Sequence, residues 1–146
     1  MSIYSSGAIA LATAGAYQAG DVVGGVLTFA GAARTQQGLV AHVALFDDAA
    51  QKKAIDLILF RAAPSATPAD NAAFALQSGD EGKVIAVMSI AEDDYADLGS
   101  GAAVATLKAT VAIPQTPDGN LYARLVTRGT PTYATGNLRV EIGIVF

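Results

Sequence analysis

Apolar positions in this chain of 146 residues recur at every second residue over many short stretches, which is the period of a pleated strand and not of a helix. "LVAHVALF" (39–46) is expected to turn Leu39, Val43 and Leu45 to one face and Val40, His42, Ala44 and Phe46 to the other. "AIDLILF" (54–60) does the same with Ile55, Leu57 and Leu59, and residues 83–90, 103–113, 120–128 and 137–146 follow the rule. With 21–29 and 7–13 added, the pattern predicts about eight strands. The separators are turn formers: Gly20-Asp21, Gly31, Gly38, Gly79-Asp80, Gly99 to Gly101, Pro117-Asp118-Gly119 and Gly136-Asn137. Many short strands with regular turn signals imply an all-β fold, an antiparallel, jelly-roll-like β-sandwich over residues 1–146. Gly24-Gly25, inside an expected strand, marks a bulge or a sharp bend.

Two stretches interrupt the alternation. In "ATPADNAAFAL" (66–76), Thr67 suits an N-cap, Pro68 the first helical position and Asp70 the positive helix end, so one short helical turn is expected near 67–76. The second, "AEDDYADL" (91–98), is acidic apart from Tyr95 and Leu98 and reads as a surface loop or a single helical turn. No repeat, linker or low-complexity tail breaks the chain into further units.

Composition narrows the function. An apolar fraction of 52% comes mostly from dispersed alanine, and no unbroken run approaches the roughly 20 residues of a spanning helix, so no membrane partner is expected. "GAIALATAGA" has an A-x-A ending at Ala16 but no preceding lysine or arginine, so a strand is expected there and not a secretory signal. Net charge is −4 and the basic residues are scattered apart from Lys52-Lys53, which disfavours nucleic acid. The absence of cysteine excludes disulfides, thiolate zinc sites and cysteine nucleophiles.

Candidate chemistry is sparse. The single imidazole, His42, lies mid-strand; Asp56 on the following strand could orient it, but no nucleophile motif accompanies the pair. The preferred reading of His42 is a structural histidine bonded to a neighbour. Asp47, Asp48, Glu92, Asp93, Asp94 and Asp97 offer oxygen ligands without the spacing of a calcium loop. Asp56 and Glu141 are conceivable partners in glycoside hydrolysis, yet the chain lacks tryptophan and has only 7% aromatics to stack on sugars. No catalytic, metal or cofactor site is assigned. Tyr17, Tyr95, Tyr122 and Tyr133 remain as interface anchors or half-buried sandwich residues.

Three strings carry a resemblance: "AYQAGDVVGGVLTF", "VALFDDAAQKKAIDLILFRAAPSATPADNAAFAL" and "NLYARLVTRGTPTYATGNLRVEIGIVF". Together they cover Tyr17 to Phe146, and in them the chain resembles the head decoration, or capsid cement, proteins of tailed phages and prophages. The resemblance implies a non-enzymatic virion structural protein, made in the host cytoplasm, that binds the outside of the assembled head. Its partners would be the major capsid protein and further copies of itself, as dimer or trimer. On that reading the stretch after Phe60 is a contact arm (61–76), with Thr67 capping a turn that pins Phe74 and Leu76 and presents Ala62 to Ala66. Arg61, Pro64, Phe74, Tyr95 and Tyr133 are then the contact candidates. A carbohydrate- or host-binding jelly-roll module of a fibre or baseplate is the alternative, and a small hydrolase dependent on His42 is a third reading.

Overall fold

The computed structural model of the chain describes every residue except Thr13, Ala14 and Thr35. Five strands form one antiparallel sheet in the order β1 (Ser2–Ala8), β11 (Leu138–Val145), β4 (Gly38–Asp47), β8 (Ala102–Ile113) and β7 (Tyr95–Gly99). Four form the other, in the order β3 (Val22–Phe29), β9 (Leu121–Thr127), β5 (Ile55–Phe60) and β6 (Val84–Ile90). A small ladder joins β2 (Gly15–Ala16) to β10 (Thr132–Tyr133). The interleaved orders β1-β11-β4-β8 and β3-β9-β5-β6 are those of a jelly roll, in which each hairpin is split between two facing sheets.

The core lies between the sheets. Val43, Leu45, Val140 and Ile142 from one sheet face Ile55, Leu57, Leu59 and Leu125 from the other, all without solvent exposure. Each such side chain contributes about 1.5–3 kcal/mol by leaving water. β-branched and leucine side chains at alternate positions suit this pleated, half-buried setting.

Several expectations need correction. A register shift between Val40 and His42 reverses the parity of β4, so that Val40 joins Val43 and Leu45 in the core and Leu39 turns outward. The first strand runs over Ser2–Ala8 and not 7–13; of the expected span, Thr13 lies outside the described residues. Gly38 begins β4 instead of forming a turn. Residues 91–98 contain a 3-10 turn (Glu92–Asp94) and then β7, because Tyr95 packs against the core and draws its segment into the sheet. The bulge at Gly24 is present: pairing of β3 with β9 slips between Val23 and Leu27. Gly24 has φ +75°, and a side chain there would meet Ile9 Cγ2 at 2.5 Å.

No helix forms over 67–76. The local capping signals lose to long-range pairing: Asn71 N donates to Val22 O, Val22 N to Ala72 O and Phe74 N to Gly20 O, which lays the segment along the edge of β3. Main-chain groups committed to a neighbouring strand are not available for intrahelical bonds.

Candidate functional site

The connection from β5 to the 3-10 turn at Glu81–Lys83 crosses the outer face of the four-stranded sheet. That face is apolar because β5 is buried on both sides: Ile58 and Phe60 point away from the core and pack with Val126, Phe74, Val84 and Tyr122. Sheets covered on both faces read as continuous apolar runs, which is what "IDLILF" is apart from Asp56.

Charged side chains fasten this arm to the sheet through its main chain. Arg124, mid-strand in β9 and only 1% exposed, donates from Nη1 to Ser65 O at 2.6 Å and from Nη2 to Pro68 O. Burial lowers the pKa of its guanidinium, an effect that Asp80 opposes by its charge. Asp80 accepts from Ser65 N and from Lys83 Nζ, both at 2.8 Å, and the same ammonium donates to Ala63 O. The Lys83 and then the Ser65 hydrogen bond hold the Asp80 carboxyl below its usual range. Asp70, expected beside the positive end of a helix capped by Thr67, accepts instead from Gly24 N at 2.7 Å and from Tyr17 OH at 2.9 Å. Burial first, and then Asp70, push the Tyr17 phenol well above its ordinary pKa.

The contact candidates fall at different depths. Arg61 is exposed, Phe74 is half-buried over Phe60 and Ile58, and Pro64 is buried beneath the arm. Tyr95 is half-buried and donates its hydroxyl to Lys53 O at 2.9 Å. Tyr133 is 2% exposed, its ring 6.0 Å from that of Tyr17, and its hydroxyl has no hydrogen-bond partner among the described residues. Pro64 and Tyr133 thus offer essentially no surface; the first half of the arm exposes Arg61, Ala63, Ala66, Thr67 and Ala69, and Leu76, expected to be pinned with Phe74, is exposed instead. Arg124, central to the arm, was not among the sequence candidates. The signal was present: an arginine in "NLYARLVTR" alternates with Tyr122 and Val126, so its charge sits on an apolar face and needs a cover with acceptors.

The constellations considered for chemistry do not assemble. His42 lies on the outer face of the five-stranded sheet, in register with Gly143 and Lys108, and its Nδ1 is buried without a partner among the described residues. Asp56 lies on the outer face of the opposite sheet and pairs with Arg128 Nε at 2.6 Å. Glu141 shares the face of His42, not that of Asp56, and pairs with Arg139 at 3.4 Å. Asp47 accepts from Ala49 N and Lys52 N, Asp97 pairs with Lys52, and Glu92 with Lys53. No metal-holding cluster of acids or histidine occurs among the described residues. The carboxyls of Asp80, Asp97 and Asp118 are all shifted downward, the opposite of what a general acid needs.

The outer face of the five-stranded sheet has two halves. At one end Arg139 stacks over Phe46, with its guanidinium carbon 4.1 Å from the ring centre. At the other, Met1, Ile3 and Val145 are exposed beside Leu39. Gly143 lets them lie flat: a side chain at that position would meet Met1 Sδ at 2.8 Å and Ile3 Cδ1 at 3.2 Å.

Fold and surface together define an all-β jelly-roll protein with a fastened surface arm. The chain matches no family model, no curated protein and no solved structure. No helix among the described residues is long and apolar enough to cross a membrane.

Proposed function

We propose that the chain is a capsid decoration protein, a non-enzymatic virion component that binds the major capsid protein on the outside of a phage head and stabilises the shell. The observation that carries this reading is the arm at 61–80. It is longer than the roughly 12–15 residues beyond which connections without secondary structure become uncommon and are usually functional. Its main chain is held by Arg124, Asp80 and Lys83, the Asp70 side chain ties it to β3, and between Arg61 and Leu76 its outward side chains are small. A surface fixed before binding loses little conformational entropy on docking, and small side chains allow close approach to a broad, flat partner. Repetition over a symmetric lattice then multiplies modest contacts.

Co-sedimentation with mature shells from the same genome tests the proposal. Saturable binding at a lattice-like number of copies is the expected result, and Ala66→Glu on the exposed arm is expected to weaken it without unfolding the protein. No binding to intact shells would overturn the reading and move the weight to a glycan- or host-binding module.

A further inference from the structure

We propose that two copies of this chain associate through β1, antiparallel across a two-fold axis, so that their five-stranded sheets become one continuous sheet. A strand at the edge of a sheet presents unpaired main-chain donors and acceptors, and proteins ordinarily blunt such edges with charge, brevity or a covering segment. Here β3 is covered from Gly20 to Gly24 by the arm and by Asp70. β7 is five residues long, carries Asp97 and follows Glu92, Asp93 and Asp94. β6 is uncharged but less open than β1, with only Val87 and Ser89 exposed. β1, "SIYSSGA", has no charge, stands at the end of its sheet and is mostly exposed.

The absence of charge on β1 and the apolar strip beside it favour a second copy as the occupant. β1 pairs regularly with β11 over Ser2–Ser5, the stretch straight enough to accept another strand. A two-fold axis through Ile3 sets Ile3 opposite Ile3 of the second copy and Met1 opposite its Ser5, an isologous arrangement without opposed like charges. In a chain of net charge −4 this matters, because a pairing through the acidic β7 edge would bring carboxylates together. The same axis joins the exposed strips of Met1, Ile3 and Val145 from both copies, where apolar residues concentrate on this sheet. The inference is independent of any capsid, since it concerns the purified chain alone.

Sedimentation velocity from micromolar to near-millimolar concentration tests it. The wild type is expected to reach a dimer. Ile3 is 50% exposed, so Ile3→Lys should fold; it opposes two lysines and should raise the dissociation constant by roughly tenfold or more. Val87→Lys, on the uncharged edge strand β6, should leave the dimer intact. In the wild type, amide exchange over residues 2–5 should slow as concentration rises, a readout that needs no variant. A monomer at all concentrations, an assembly of another order, a dimer indifferent to Ile3→Lys or lost in Val87→Lys, or exchange at 2–5 independent of concentration would each overturn the proposal.

Discussion

The outer face of the four-stranded sheet carries Ile58, Phe60, Val126 and a buried arginine under a fastened arm, whereas that of the five-stranded sheet leaves Met1, Ile3 and Val145 open to solvent. Both faces belong to the same sandwich, with similar strands and similar pleat. The connections account for the difference: only the β5 to β6 crossing is long enough to return over its own sheet. One side of the molecule therefore has a second layer, and the other side leaves its apolar surface uncovered among the described residues.

The contrast can be broken most severely at Phe60. Phe60→Ala removes a fully buried ring beneath the arm and should cost about 3–5 kcal/mol in urea unfolding, close to a core truncation although the residue points away from the core. Arg124→Met follows at about 2–4 kcal/mol, because the carbonyls of Ser65 and Pro68 lose a charged donor; limited proteolysis should then cut within 61–80 before the rest of the chain unfolds. Asp70→Ala, which removes the acceptor for Gly24 N and Tyr17 OH, should cost about 1–2 kcal/mol. An intact arm with unchanged unfolding in these variants would mean that the covering layer contributes nothing to stability.

Acid should loosen the arm selectively. The folded Asp80 carboxyl lies below the unfolded value of about 3.9, so its contribution is fully present above that pH and is lost as pH falls through the folded value. Protection of the Ser65 amide, its exchange taken relative to an unstructured amide at the same pH, should therefore fall below about pH 4 and stay constant with acid in Asp80→Asn. On the bare face the expected effect is smallest: Val145→Ser should change monomer stability by no more than about 0.5 kcal/mol. A large loss there would show that this face is covered in solution.

The strands were legible because alternation is a local signal that burial enforces: "IDLILF", "KVIAVMSI" and "NLYARLVTR" each lie where their period placed them. The arm was misread because capping residues are ambiguous. Asp70 near a proline suits a helix start, but the same carboxylate can satisfy Gly24 N and Tyr17 OH from another strand, and those partners are 46 and 53 residues away. The face of Leu39 was misassigned because one bulged residue inverts every side chain beyond it. β7 was hidden by its acids, since only Tyr95 in that stretch packs against the core. Of the candidate site, the arm as a unit was visible as a loss of periodicity. Arg124 was hidden because it lies far from the arm in sequence, and the sequence does not separate an interface tyrosine from a buried one, of which Tyr133 is the buried kind.

The way the arm is held has a consequence for variation. The groups gripped by Arg124 and Lys83 are carbonyls, and one of those gripped by Asp80 is the amide of Ser65, which every residue except proline also provides. The identities of Ala63, Ala66, Thr67 and Ala69 are consequently not encoded in the fastening. Related chains could rewrite these positions quickly while the scaffold stayed fixed, and a short foreign peptide replacing the exposed residues would be presented in a constrained shape, which makes the arm a natural place to install an epitope or an affinity handle.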